Sequence, residues 1–492
     1  MIIANIVSIP IYLQFISISE YGLWLVVSSL IALVTIFDFG GDTLLIKQLS
    51  NAKIFNTLTS ITYIYISLSF KLLLACIFII YALLIVFFFN QQLVSNQEAN
   101  GIGLYAFIVG MIYLVFIQFL SSLASVLISQ NMLFKVNLMN FLVGIFNILI
   151  TLIFLSHGFN IISFAIAQLI TCLIAIVWLC KQVSNIHINL SLNKKVFGEM
   201  KKIMPNLLME SFIYLKSFYF IRLLHLFRNN FMNIFLSGAI STSLVGIFNI
   251  TNKIPSLIPG YIAKVANALF PSLSADYASN KIENLKKTYS NLIFFITRIT
   301  LFIMINLLFI NEAFIALWVG SDNFAGKLIS SLVIIYLFPS CLSAIIGSMI
   351  YASGNFEKYS LFAIFEIIST SLFVYLGFIY FGLVGAVIGF IIPINFTVIF
   401  LLKHAANILT LDLKNLLLNN FKKNIIPFSA SFIGAYFLSI FNFDAHSWIN
   451  LFAFVIVVAL INILSVEGLR LYRSENYSMR NVKLIFMKNF IE

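Results

Sequence analysis

The stretch Ser17–Ser50, SISEYGLWLVVSSLIALVTIFDFGGDTLLIKQLS, returns in a weaker copy as Ser241–Ser274, STSLVGIFNITNKIPSLIPGYIAKVANALFPSLS. At a gap-free offset of 224 residues, Ser17, Ser19, Gly22, Leu33, Leu49 and Ser50 meet identical Ser241, Ser243, Gly246, Leu257, Leu273 and Ser274, while Leu23 and Trp24 meet Ile247 and Phe248. The same register brings Ser129, Asn131 and Gly158, far downstream, onto Ser353, Asn355 and Gly382. The chain therefore reads as two related halves.

Composition says where those halves live. Hydrophobic residues make up 61% of the 492 residues and charged residues only 9%; the mean hydropathy is +1.05. A soluble domain is about half apolar and a quarter charged, so the expected class is an all-α polytopic membrane protein. A span needs about 20 mostly apolar residues whose backbone is satisfied internally, which the long apolar runs supply. The strict alternation of barrel strands is missing.

Fourteen such runs are centred near residues 10, 30, 78, 115, 147, 170, 218, 258, 302, 339, 371, 393, 434 and 457. Lysine and arginine accumulate on the cytoplasmic side of membrane proteins, which tests the count. With both termini cytoplasmic, Lys47, Lys53, Lys135, Lys181, Lys194, Lys195, Lys201, Lys202, Lys281, Lys286, Lys287, Lys358, Lys403, Lys414, Lys422, Lys423 and the basic tail from Arg470 fall inside, leaving Arg228 and Lys327 in outside loops. This sorting accounts for the net charge of +12 as topology, so no nucleic-acid partner is required.

The expected layout is two parallel six-helix repeats plus two C-terminal helices, because an offset of six spans preserves orientation. Its parts are a first lobe at 1–180, a basic cytoplasmic link at 181–205, a second lobe at 206–403, helices 13 and 14 at 404–466, and a basic cytoplasmic tail at 467–492. Residues 274–291 read as a cytoplasmic helical connector in which Glu283 and Lys287 have supporting i, i+4 spacing. Under the offset Met1 meets His225, whereas the seventh span begins near Asn206, so the first span is short by about 20 residues; the expectation is a reading frame that begins upstream of Met1.

Charge inside a span is costly and usually faces a cavity or a partner. Lys71, Glu210, Lys216, Arg222, Lys253, Arg298 and Glu366 fall within apolar runs. Cations outnumber carboxylates, which points to an anionic ligand, and arginine suits bidentate phosphate recognition. Lys71, Arg298 and Glu366 lie near the cytoplasmic ends of their spans, where long stems reach the interface. Lys71 and Arg298 sit within one helical turn of each other under the offset. Lys216, Arg222 and Lys253 lie deeper and are the stronger binding candidates. Glu210, Lys216 and Arg222 are six apart, so successive members turn by about 240° and do not share a face. Glu210 and Glu366 either neutralise a cation or couple transport to H+ or Na+. Asp38 and Asp42, in FDFGGD, read as boundary residues flanking a glycine turn.

Pro255, Pro259 and Gly260, in KIPSLIPGY, interrupt the eighth span and are expected to form a hinge, since proline removes a backbone bond and clashes with the preceding turn. Cys76, Cys172, Cys180 and Cys341 are scattered, with neither CxxC nor Cys/His ligand spacing, and read as packed free thiols with no metal site. No Walker loop, HExxH or GxSxG is present. The reading is therefore not an enzyme and requires no cofactor.

EYGLW followed by DFG and a short turn ending in LS, with YASGN and GLVGAVIGFII in the second half, resembles the O-antigen and polysaccharide flippases of the multidrug/oligosaccharidyl-lipid/polysaccharide exporter superfamily. The resemblance implies two lobes around a central cavity that opens alternately to either side of the bacterial inner membrane. It implies an undecaprenyl-diphosphate-linked oligosaccharide, an O-antigen or capsule repeat unit, as cargo, with membrane lipids and other polysaccharide-assembly proteins as partners. The alternatives are a cation-coupled multidrug antiporter of the same superfamily, which would want buried carboxylates, and a membrane glycan polymerase, which would want a sizeable outer loop.

Overall fold

A computed structural model describes residues 2–37, 42, 45, 46, 49, 58–94, 101–184, 194–440 and 447–473. Among them no strand occurs, and nine helices are long and apolar enough to cross a membrane. The helices are α1 (Ile2–Tyr12), α2 (Ile18–Val34), α3 (Leu58–Val94), α4 (Ile102–Ser129), α5 (Leu133–Ser156), α6 (Ile162–Ser184) and α7 (Lys194–Ala239), then α8 (Thr242–Thr251), α9 (Lys253–Ala278), α10 (Ile282–Val319), α11 (Lys327–Ser353), α12 (Phe356–Ile408), α13 (Leu413–Ile440) and α14 (Trp448–Arg473). The eighth expected span is α8 and α9 with a break between them. The eleventh and twelfth are the two arms of α12, divided at Gly382, whose φ of 58° and ψ of −143° are open only to glycine.

The 224-residue register holds in the backbone. The helix α2 starts at Ile18 and α8 at Thr242; α3 spans Leu58–Val94 and α10 Ile282–Val319; α4 ends at Ser129 and α11 at Ser353; α6 ends at Ser184 and α12 at Ile408. The matched glycines Gly158 and Gly382 both adopt positive φ. Matched Ser17 and Ser241 both cap helix starts, Ser17 Oγ accepting from the Glu20 amide at 3.2 Å and Ser241 Oγ from the Leu244 amide at 3.3 Å. In the first copy Glu20 also accepts from the Ser17 amide at 2.8 Å, completing a capping box.

The chain forms two compact units, Met1–Ile250 with Phe356–Ile367, and Thr251–Asn355 with Ile368–Glu492. In the first, α2 crosses α8 at the matched glycines. A Cβ on Gly22 would stand 1.8 Å from the Thr242 carbonyl oxygen, and one on Gly246 2.6 Å from that of Ile18. Thr242 is the repeat counterpart of Ile18, so the two contacts are exchanged by the internal symmetry. Ser19 Oγ and Thr242 Oγ1 add a hydrogen bond of 2.9 Å at the same crossing. Leu49, Leu127, Leu179 and their neighbours fill the core behind it, while α5 turns Phe141, Phe146, Leu149 and Ile153 outward, as a lipid-facing helix must.

In the second unit the arms of α12 close on one another through glycine. A Cβ on Gly377 would meet the Gly385 carbonyl oxygen at 2.2 Å, and one on Gly389 that of Phe373 at 2.3 Å. The small residues of GLVGAVIGF thus let backbones touch where no hydrophobic driving force operates between helices. Ile262, Ile296, Leu337, Cys341 and Ile345 form the core between α9, α10 and α11.

The interruption expected at Pro255, Pro259 and Gly260 lies upstream, at Asn252 between α8 and α9. Pro255 stands in the first turn of α9, where a missing N–H costs little. It nonetheless deprives the Thr251 carbonyl, four residues back, of its helical donor. Asn311 of α10 supplies the replacement, its Nδ2 donating to Thr251 O at 3.1 Å and to Ser330 Oγ at 2.8 Å. The Thr251 hydroxyl accepts from the Ala325 amide at 2.9 Å. Two smaller expectations are also revised. Glu283 pairs with Lys286, at 3.0 Å, rather than with Lys287; and Cys172 and Cys341 are buried whereas Cys76 and Cys180 are exposed.

Gly246→Val is expected to force α2 and α8 apart and cost about 1–3 kcal/mol, the usual range for overpacking; thermal unfolding in detergent would read this, with Gly198→Ala, where a Cβ meets nothing within 4 Å, leaving the transition unmoved. Asn311→Leu should remove the donor to the Thr251 carbonyl and to Ser330 at a cost of about 1–3 kcal/mol, and a transition identical to that of the parent protein would contradict the capping role.

Candidate functional site

The charged side chains within the helices are sorted by what each unit offers them. In the first unit, α7 carries Arg228, and the N-terminal arm of α12 carries Glu366 ten residues from its start, about 15 Å along the axis. They form a two-pronged pair: Arg228 Nε to Glu366 Oε1 at 2.5 Å and Nη2 to Oε2 at 2.7 Å. Their side chains are 8% and 3% exposed. Arginine's planar fork matches a carboxylate in this geometry, which is the arrangement that repays desolvation best. One turn beyond, Asn233 Nδ2 donates to Ser29 Oγ at 2.9 Å, and Asn249 Nδ2 to Asn233 Oδ1 at 2.7 Å. A second polar contact of α7 therefore stands further along the helix and about 140° round from the ion pair.

The second cluster of this unit surrounds Lys71 on α3. Its Nζ donates to Asp42 Oδ2 at 3.0 Å and to Gln118 Oε1 of α4 at 2.8 Å. Ser122 donates to Asp42 Oδ1 at 3.4 Å and meets Ser67 at 3.3 Å. The Lys71 side chain is 0% exposed, so its stem does not carry the ammonium to the interface. Asp42 is accordingly an ion-pair partner, not a boundary residue. Asp38 and the glycines beside it lie outside the described residues.

In the second unit Arg298 on α10 packs against α13. Its Nε donates to Asn424 Oδ1 at 3.2 Å and its Nη2 to the Lys423 carbonyl at 3.1 Å, with its Cζ 4.7 Å from the centre of the Phe294 ring. Lys253 opens α9 directly after the break and is half-buried. Pro255 is buried there, and Gly260 is exposed. In the first unit Arg222 is half-buried on α7. Glu210 and Lys216 lie in α7, with side chains outside the described residues.

Of the expected residues, the structure thus joins Lys71 to Asp42 and Glu366 to Arg228, and it gives Arg298 neutral partners. Arg228 is the correction of most consequence. The polar run Arg228-Asn229-Asn230 reads as an outside loop, yet α7 continues through it to Ala239. The repeat held the signal: under the 224-residue offset Arg228 meets Ala4, inside the first apolar run. Among the described residues no group of three or more His, Cys, Asp or Glu could hold a metal ion.

Residues 13–324 match the polysaccharide biosynthesis protein family. The chain belongs to this family. Solved structures of transporters carry the same fold. The lipid II flippase MurJ, in an inward closed conformation, aligns with a TM-score of 0.68 at 16% identity over 96% of this chain and 98% of its own. An inward-facing multidrug resistance MATE family transporter of the MOP superfamily aligns at 0.63 and 16% over 83% and 94%. The MATE multidrug transporter DinF-BH aligns at 0.63 and 16% over 84% and 93%. No curated protein matches. The helical fold of two six-helix repeats with two added helices is, among the described residues, as the sequence indicates.

Breaking a buried pair by removing one partner costs about 3–5 kcal/mol, because the survivor keeps an uncompensated charge. Arg228→Ala and Glu366→Ala should each lose stability of that order. The double variant Arg228→Met/Glu366→Leu should recover most of it; additive losses in detergent unfolding would show that the two residues do not act as a unit.

Proposed function

We propose that this protein is a flippase for an undecaprenyl-diphosphate-linked oligosaccharide, an O-antigen or capsule repeat unit, moved across the bacterial inner membrane by alternating access with both termini cytoplasmic. The observation that carries this reading is that a member of a polysaccharide biosynthesis family has, over 96% of its length, the fold of a lipid II flippase. The inventory of charge supports it. A diphosphate needs cations, and Arg222, Lys253 and Arg298 stand half-buried in the helices. Both described carboxylates of the two buried pairs, Asp42 and Glu366, are already held by protein cations. A cation-coupled multidrug antiporter would want such carboxylates for its cargo or coupling ion, so the MATE-like reading ranks second. In this scheme the first unit offers Lys216 and Arg222 to the cargo and the second offers Lys253 and Arg298, while Lys71, fully buried against Asp42 and Gln118, is held within the protein. The break at Asn252 and the prolines after it serve as hinge, and Glu366 serves charge pairing rather than H+ or Na+ coupling.

Deleting the gene should strand the lipid-linked repeat unit on the cytoplasmic leaflet; accumulation of single units on the outer leaflet would point to polymerisation instead. Complementing the deletion with Arg222→Ala or Lys253→Ala should lower translocation about tenfold or more, the loss of one charge-assisted contact, at unchanged protein level in the membrane. Full activity of both variants would remove these residues from the site.

A further inference from the structure

The second unit contains a cavity of about 340 Å³ between α10 and α13. It lies at the end of the helices that carries Lys403, Lys414 and Lys422, the lysine-rich side that the positive-inside rule assigns to the cytoplasm. The repeats do not explain it, because α13 lies outside them. Its wall on α10 includes Asn291 and Phe294; its wall on α13 includes Asn415, Asn419, Asn420 and Lys423. Positions 415, 419 and 423 recur every fourth residue and share one helix face, as do 290, 294 and 298 opposite.

An amide ladder holds this wall in place. Asn420 Nδ2 donates to Thr297 Oγ1 at 3.0 Å, Asn424 Nδ2 to Asn420 Oδ1 at 2.7 Å, and Arg298 Nε to Asn424 Oδ1. The Phe294 ring is shared by two cations, Arg298 Cζ at 4.7 Å and Lys423 Nζ at 5.8 Å from its centre. Among the described residues Arg298 has no carboxylate partner; its protein contacts are an amide, a carbonyl and an aromatic face, and they use two of its five N–H donors. The carboxylate in the cavity wall, Asp412, is engaged in capping α13, accepting from the Lys414 and Asn415 amides at 2.9 and 3.2 Å and from Asn415 Nδ2 at 2.6 Å. The wall cation Lys423, with Arg298 outside the wall on the same Phe294 ring and asparagine amides around it, makes a pocket for an anion with several oxygen acceptors. The outward face of the same stretch of α13 is greasy, with Leu417, Leu418, Phe421 and Ile425 exposed, so an occupant with an acyl or prenyl tail has apolar surface to lie on.

We propose that the α10–α13 cavity is a separate anion site that takes the phosphate headgroup of a membrane amphiphile from the leaflet at the lysine-rich end. The site stands independently of the flippase reading, since it is built from α10 and α13 alone and requires no lipid-linked oligosaccharide. Native mass spectrometry of the full chain in detergent, with phosphatidylglycerol as probe, tests it. The parent protein should retain phosphatidylglycerol about tenfold better than Lys423→Ala or the exposed-face variant Asn419→Leu, the loss of one charge-assisted contact, and better than it retains phosphatidylcholine. Asn419→Leu leaves the Arg298 ladder intact and keeps the test valid should Arg298→Gln fail to fold. Displacement by polyprenyl phosphate but not by inorganic phosphate would also support an amphiphile and name its source. Equal retention by parent and both variants, or displacement by inorganic phosphate alone, would overturn the proposal.

Discussion

The close approach of Gly22 and Gly246 is the contact on which the first unit turns. Each glycine lets a neighbouring helix place a carbonyl where a side chain would otherwise stand, and each neighbour is the repeat counterpart of the other. Such a reciprocal contact is the internal equivalent of an isologous dimer interface, in which one patch meets its own copy. Small residues are required because lipid offers helices no hydrophobic reward for associating, so close backbone packing must hold them. The same device recurs where Gly377 and Gly385 face each other across the hairpin of α12. Between these points the helices keep large apolar side chains on their outer faces, as a chain solvated by hydrocarbon can.

The fold was legible because its signals are local. Apolar run length located the helices, and the matched serines and glycines marked starts and turns that each half reproduces to the residue. Side-chain pairing was not legible, because it depends on which helices become neighbours. Asp42 looks like a loop residue until α3 places Lys71 beside it, and Arg228 looks like part of a polar break until Glu366 is found opposite. The hinge illustrates the boundary between the two kinds of signal. Proline at position 255 announces an orphaned carbonyl in the sequence, but the donor that satisfies it, Asn311, is 60 residues away in the chain.

That division also explains why the two halves differ in chemistry while agreeing in backbone. Lys71 and Arg298 occupy corresponding turns of α3 and α10, yet the first is met by a carboxylate and a glutamine from its own half. The second is met by asparagines from α13, a helix with no counterpart in the repeats. A duplicated scaffold has kept its geometry and exchanged the partners of one cation. The added helices therefore do more than thicken the second unit, since α13 supplies the hydrogen-bond acceptors of a cation carried by the repeat.

The forked pair of Arg228 and Glu366 bears on how membrane voltage acts on this protein. A single charge carried across the full potential exchanges about 2.3 kcal/mol of electrical work per 100 mV. Bound to each other, the two residues form a dipole without net charge, so any motion that carries them together is blind to that field. Voltage can act only on charges that move without their counterpart. The pair thus adds nothing to the charge on which an electrical gradient can pull.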